Sequence, residues 1–407
     1  MRTERLGSAD NAAKNAKLLS RLGETGFRAV KSAYALLRHP KEKSAELGRL
    51  AALERAVPAG SLPFDGKDWH RRFTRLLLTT NNARAMTLAE SFLSDPLVPA
   101  RFACGAAVTG FDAVQAEIGT HAKNVPIVLF AVKNDLVRVK KLLPYYRSIG
   151  AERFAAIDNG STDGTLEFLL GEPDTDVFTT RAAFGSVQKA GWLDRLASFY
   201  GTDRWYLWLD ADEFFDYPGR ETHPLGELTR ALEAKGEHKL RSFMLDMYPE
   251  GELLDPARKN EDFLTDCVYF DPDSDDYTFL PETSMLSGGM RRRVFGLENG
   301  TLSKITLLHF GGDRLLTGAH TVYPQSEDYG GAFSGVLRHY KFLPGDLEKY
   351  RRIADAGTYA NGSAEYKCYL AAFRSDPHLS AKTELSRRYG TSEDLAAFPF
   401  IRKLFTD

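Results

Sequence analysis

The chain has 407 residues, 43% hydrophobic and 27% charged, with Lys+Arg at 53 against Asp+Glu at 55 for a net charge of −2. At roughly 150 residues per domain this allows two or three units, or one α/β domain with additions at its ends. Such a balance suits a soluble globular chain with a large core, excludes disordered, collagen-like and disulfide-scaffold classes, and provides no global field for nucleic acid or an anionic membrane.

Residues 1–17 are polar and lack the apolar core of a signal peptide. The longest clean apolar run, 125–132, is far short of the about 20 residues that a spanning helix needs. Cys104, Cys267 and Cys368 are widely separated and form no C-x-x-C pair, which suits a reducing compartment. A cytoplasmic protein with no transmembrane segment and no nucleic-acid partner is expected. The sequons at Asn159, Asn299 and Asn361 then carry no expectation of glycosylation.

From the amino end, residues 11–119 read as helical. Leu18, Leu19, Leu22, Phe27, Val30, Ala33 and Leu36 recur at spacings of mostly three and four, a break falls at 58–63, and further helical stretches follow at 69–92 and 102–118. Residues 1–120 are therefore expected to form a helical extension packing on the main domain, on a partner or on a second copy. The texture changes at Val125. A buried strand at 125–132 leads to a helix at 135–150, which Pro144 should kink or end early. A strand at 154–157, a turn, a helix at 165–170, a strand at 177–179, a helix at 188–200 and a strand at 205–209 follow. This alternation predicts a parallel sheet covered by helices, with ligands beyond the carboxyl ends of its strands. Residues 240–340 read as mixed strand and loop, including strands at 243–247 and 305–310, and 346–407 as a helical tail.

Two polar clusters fall at predicted strand ends. Asp210-Ala-Asp212-Glu213 follows Trp-Tyr-Leu-Trp-Leu. Residues two apart on an extended segment point the same way. Adjacent carboxylates repel unless a cation or strong donors sit between them, and Mg²⁺ or Mn²⁺ with open positions for phosphate oxygens resolves the conflict. The alternative is a solvated acidic loop. In the segment 158–165, Gly160 and Gly164 permit close backbone approach, and Asp163 reads as a helix cap. Asp158, at the strand end, is placed to accept from a nucleobase or ribose, with Lys133-Asn134-Asp135 beside it.

Taken in order, Asn134-Asp135, residues 158–165 and residues 210–214 resemble the nucleotide-sugar-binding half of the GT-A glycosyltransferases, specifically the bacterial family-two-like proteins, over about 125–217. The resemblance implies an α/β, Rossmann-like nucleotide-diphospho-sugar transferase domain at 121–345, acting on a nucleotide-sugar donor, with UDP expected, and a glycan acceptor, with inversion. It implies that Asp158 meets the uracil or ribose, with Asn134, Gly160 and Ser161 in the same nucleotide site. Asp210 and Asp212 would bind metal and diphosphate. Asp135 stands where those proteins usually carry Glu. Ser287-Gly-Gly289-Met-Arg291-Arg-Arg293 resembles their glycine-rich loop near donor and acceptor, although the arginines also read as a solvated edge. Lys304 is similar to a basic residue near the donor, and His320 and His339 to late histidines that serve as a further metal ligand, with His309 a weaker candidate. The acidic base has no clear match among Asp271, Asp273, Asp276 and Glu282; Asp276 and Glu282 are taken as the catalytic candidates. The same stretch nearly meets calcium-loop spacing, but Asp276 stands where a Gly makes the turn.

Two rivals share these residues. A nucleotidyltransferase making a nucleotide-sugar would carry a glycine-rich basic loop after the first strand, and 132–136 lacks one. A non-catalytic sugar-nucleotide or glycan-binding scaffold would tolerate the missing base. No P-loop, dinucleotide fingerprint, H-E-x-x-H or G-x-S-x-G is present.

Overall fold

The computed structural model describes residues 111–116, 121–182, 184, 186–201, 203–272, 277–279, 285–298, 300–310, 315–316, 320, 322–323, 332–357 and 359–405. The helices expected before residue 111 lie outside the described residues.

Strands β1 (Asp112–Gln115), β2 (Ile127–Val132), β3 (Phe154–Asp158), β4 (Thr175–Thr179), β5 (Trp205–Leu209), β6 (Glu213–Asp216) and β7 (Lys239–Asp246) are followed by three short ones, β8 (Tyr269–Phe270), β9 (Tyr277–Phe279) and β10 (Leu286–Gly288). Then come β11 (Ser303–His309), β12 (Leu315–Leu316), β13 (Val322–Tyr323), β14 (Phe333–His339) and β15 (Arg387–Arg388). The helices are α1 (Leu136–Ser148), α2 (Thr165–Leu170), α3 (Ser186–Tyr200), α4 (Leu225–Ala234), α5 (Phe263–Asp266), α6 (Gly289–Phe295), α7 (Asp346–Ala356) and α8 (Ala360–Ser375).

Nine strands form one mixed sheet in the order β1-β4-β3-β2-β5-β11-β7-β14-β6. β2 runs parallel to both β3 and β5, and β11 is antiparallel to β5 and β7. This is a mixed α/β architecture with a Rossmann-like parallel half. Every residue of β2, β3 and β5 is buried, as strands covered on both faces must be. That is why their sequences read as apolar runs without alternation.

Two compact units divide the described residues. Residues 111–113, 179–203 and 310–324 fall in the smaller, and 114–178, 204–309 and 325–405 in the larger. Within the smaller, α3, in which Trp192, Leu193 and Leu196 are buried, lies beside β12, which pairs with β13. The larger unit holds all the described candidate site residues discussed below, except His320.

Three expectations change. Residues 112–115, expected inside a helix, are an edge strand. Pro144 does not end α1, which runs on to Ser148. The reason lies in the next two residues: Tyr145 Oη donates to the Phe215 carbonyl at 2.5 Å, and Tyr146 Oη accepts from the Phe215 N–H at 2.7 Å. These bonds tie the last turn to β6 and offset the hydrogen bond that proline removes. Finally, the tail is α-helical only to Ser375, with one short 3-10 helix later, at Ser392–Ala397. Beyond it, β15 pairs with β8, and Tyr389, Leu395, Phe398 and Leu404 enter the main core.

Candidate active site

Loops leave the sheet at the carboxyl ends of three neighbouring parallel strands, in spatial order β3, β2, β5. After β2 the chain turns through Asn134 at φ 51°, a left-handed conformation that Asn tolerates better than most residues. Its N–H donates to Ser161 Oγ at 2.9 Å, and its Oδ1 accepts from the Thr162 N–H at 2.7 Å. The first two loops are thereby stitched together. Asn134 and Ser161, expected in the nucleotide site, bond these two loops to each other. Asp163 accepts from the N–H groups of Thr165 at 3.0 Å and Leu136 at 3.1 Å, at the starts of α2 and α1. Burial pushes the Asp135 carboxyl up, but Arg138 at 2.9 Å and Lys349 at 2.8 Å outweigh it and hold it below the ordinary value.

Asp158 closes β3 and is fully buried. Its Oδ1 accepts from the N–H groups of Gly160 and Ser161, both at 2.9 Å, a turn that Gly160 makes at φ 73°. Its Oδ2 is buried with no hydrogen-bond partner. An orphaned buried acceptor costs about 1–3 kcal/mol, which a ligand N–H or O–H would recover.

The third loop carries Asp210 and Asp212, both partly exposed, and the buried Glu213. Glu213 turns inward. Its Oε2 accepts from Lys304 Nζ at 2.6 Å and from the Asp210 N–H at 2.8 Å, so it fixes the turn that presents the two aspartates. Lys304, expected to contact the donor, is buried in this pair and also lies over the Trp208 ring at 5.4 Å.

Strand register delivers the remaining groups. β14 pairs antiparallel with β6, setting His339 opposite Glu213, and parallel with β7, setting His339 beside Asp246. The Tyr340 N–H donates to the Asp212 carbonyl at 2.9 Å, extending the ladder by one step. His339 Nε2 therefore sits 3.3 Å from Asp212 Oδ2, while its Nδ1 lies 2.8 Å from Asp246 Oδ1. Arg291 bonds Asp246 Oδ2 at 2.7 Å, reaches His339 Nδ1 at 3.0 Å, and pairs with Glu365 on α8 at 3.3 Å. Burial pushes the Asp212 carboxyl up, but the His339 ring beside it, with Lys341 and Arg138, holds it well below the ordinary value. Burial pulls His339 down, and the Asp212 carboxylate more than offsets it, so the ring binds its second proton more readily than free imidazole. Metal coordination would require the neutral ring.

The donor chemistry fits a dication. Asp212 and His339 bring one oxygen and one nitrogen together, and Asp246 on the far ring nitrogen is the carboxylate–imidazole support that orients such ligands. Among the described residues no three His, Cys, Asp or Glu side chains converge as a complete ligand set. A hard ion that takes its other positions from water and phosphate needs none.

The other expected residues part company here. Asp276 and Glu282, with Asp273, lie outside the described residues. His320 belongs to the smaller unit, where it is half-buried. His309 packs edge-on to Trp205 at 5.4 Å. Asp271 is held by Arg293 through bonds of 3.0 and 2.8 Å, the geometry of a structural ion pair. Arg291 is buried and Arg293 is in that pair, so neither belongs to a solvated edge. Sequence reasoning missed Asp246, Lys341 and Arg138. A signal existed for Asp246, a carboxylate closing an apolar strand as Asp158 does. A cavity of about 170 Å³ lined by His121, Pro126, Ile127 and Arg153 lies at the amino end of β2, away from these groups.

Asp246 also sets an acid limit on the fold. Burial pushes its carboxyl up, but Arg291 and His339 bring it down to about 2. Its folded value thus lies below the about 3.9 of an unfolded aspartate. The contribution, about 2 kcal/mol, is complete above about pH 4 and is lost as the pH falls toward about 2. Thermal unfolding followed from about pH 5 to about pH 2 should show this loss, and Asp246→Asn should flatten it. An unchanged slope in the variant would remove Asp246 as its source.

No described helix is long and apolar enough to cross a membrane. No protein-family model and no curated protein sequence matches the chain. Among solved structures, the chain is similar to the mannosyltransferase PcManGT from Pyrobaculum calidifontis in complex with GDP-Man and Mn2+, at 15% identity and a TM-score of 0.22. The match covers 44% of this chain and 48% of that one, about half of its length. A likeness this remote carries no weight for fold or function.

Proposed function

We propose that the protein is a metal-dependent glycosyltransferase of the GT-A type, moving a sugar from a nucleoside-diphosphate donor, with UDP the expected nucleotide, to a glycan or other hydroxyl acceptor. The supporting observation is that a buried Asp158 with an orphaned Oδ2 and the Asp212–His339 donor pair at 3.3 Å lie at or just after the carboxyl ends of parallel strands, β3 and β5, that flank β2. Asp158 would accept from the nucleoside, its Oδ1 already satisfied by the backbone of its own turn. Asp210, Asp212 and His339 would hold Mn²⁺ or Mg²⁺ against the diphosphate. When bound, the ion supplies Lewis-acid neutralisation of the departing diphosphate.

Asp276 and Glu282 stay the candidates for the general base by their place in the sequence. The base takes the acceptor hydroxyl proton as that oxygen attacks the anomeric carbon from the face opposite the diphosphate. The bond from that carbon to the phosphate oxygen breaks, and the nucleoside diphosphate leaves with the electron pair. The configuration inverts.

A second reading has one observation in its favour. His339 and Lys341 already flank Asp212, as a nucleotide-binding protein without catalysis would permit. A panel of UDP- and GDP-sugars with Mn²⁺, assayed for nucleoside-diphosphate release without acceptor, separates the two. Slow, EDTA-sensitive release is expected. Thermal stabilisation by nucleotides without release would favour the scaffold, and neither effect with any donor would remove the nucleotide-sugar reading.

A further inference from the structure

Lys341 stands out among the cations at this edge of the sheet. It lies two residues beyond His339, and its backbone is held on both sides. The Tyr340 N–H is bonded to Asp212, and the Lys341 carbonyl accepts from Arg138 Nη2 at 3.0 Å and Tyr350 Oη at 2.7 Å. The side chain is only 13% exposed. Its Nζ lies 4.9 Å from the centre of the Tyr366 ring and donates to Tyr366 Oη at 3.0 Å. Lys304 and Lys349 each have a carboxylate within hydrogen-bond reach, at 2.6 and 2.8 Å. Lys341 has none among the described residues: Asp212 Oδ2 is 4.0 Å away, an ion-pair distance beyond hydrogen-bond length. An ammonium carries three donors, and the Tyr366 hydroxyl uses one. A nearly buried cation is thus left with donors to give, beside the aspartate pair.

We propose that Lys341 is the binding group for the diphosphate of the nucleotide donor. This inference rests on the functional reading above and adds to it a residue outside the three sequence motifs. The chemistry that uses such a group is an oxyanion. A compact point charge with rotatable donors accommodates phosphate oxygens whose positions shift as a bond breaks. Tyr366 tethers Nζ without neutralising it. The position is also economical: Nζ is one ion-pair distance from the carboxylate that would share a cation with the same diphosphate. Asp158 lies at the end of a different strand, so nucleoside and diphosphate recognition fall on separate loops.

Calorimetric titration of UDP, GDP and UMP with Mn²⁺ tests this on the full chain. Lys341→Met should weaken both diphosphates about tenfold or more, with a much smaller effect on UMP. Lys341→Arg should recover part of the loss. Tyr366→Phe keeps the charge and removes the tether, and should weaken the diphosphates a few-fold, which keeps the test available if Lys341→Met does not fold. Melting temperatures close to that of the unaltered protein would separate binding from folding. Diphosphate affinities within about twofold of the unaltered protein in Lys341→Met, or in both other variants where it does not fold, would overturn the assignment alone. Failure of the unaltered protein to bind either UDP or GDP would overturn the site reading with it.

Discussion

Asp212→Ala is expected to lower Mn²⁺-dependent release of UDP from its sugar donor by about a thousandfold, while the chain still folds. The magnitude follows from the role proposed for the carboxylate. Charge stabilisation by a bound cation amounts to several kcal/mol, and each 1.4 kcal/mol or so is a factor of about ten in rate. Folding survives because what Asp212 gives the framework is mainly its backbone: its carbonyl takes the Tyr340 N–H at 2.9 Å and keeps β14 in register. The side chain is 14% exposed, and the two groups that lose it keep other partners, Asp246 Oδ1 at 2.8 Å from His339 Nδ1 and Tyr366 Oη at 3.0 Å from Lys341 Nζ. Asp212→Asn keeps the shape, loses the charge and should fall almost as far. Release rates measured with Mn²⁺ affinity, read from the paramagnetic signal of the free ion, make the result specific. Near-normal release with unchanged affinity would take Asp212 out of the metal site and leave the scaffold reading ahead.

Much of the parallel half was legible because its signals are local. Runs such as 127–132 and 205–209 are apolar throughout since both faces are covered, and a loop follows each strand at the end where ligands bind. Asp158, Asp210 and Asp212 were singled out by that logic, and the structure sets them at or just after the carboxyl ends of β3 and β5. Asp246 and Lys341 were not, because what places them beside Asp212 and His339 is strand register. His339 meets Asp212 and Asp246 only because β14 lies between β6 and β7, one antiparallel and the other parallel, and no spacing along the chain encodes that. Pro144 misled for a similar reason. Its cost is local, whereas the tyrosine bonds to β6 that offset it connect residues about seventy positions apart. Lys304 had the right residue type in the right stretch. Whether its charge faced a donor or a buried glutamate depended on which way one strand side chain pointed.

That last ambiguity has a measurable consequence. Lys304→Met is expected to destabilise the fold by about 3–5 kcal/mol, the range for removing one partner of a buried ion pair. Lys304 and Glu213 side chains are each 2% exposed and 2.6 Å apart. Methionine fills similar volume but leaves Glu213 a buried charge with only the Asp210 N–H for company. Burial pulls the Lys304 pKa down, but Glu213, with Asp210 and Asp212, outweighs it and raises the pKa above the ordinary value. The stabilisation is therefore complete below the about 10.4 of an unfolded lysine and fades as the pH rises through the higher folded value. Urea unfolding at neutral pH measures the loss. Adding Glu213→Gln to Lys304→Met removes the stranded charge and should restore much of the stability, a coupling that independent sites would not show. The Asp210 turn loses part of its anchor in both variants, so donor turnover should fall even where stability returns. A Lys304→Met protein within about 1 kcal/mol of the original, yet weakened for UDP-sugars, would reverse the assignment. Lys304 would then face the donor, as the resemblance to the GT-A enzymes implied, and Glu213 would need another partner.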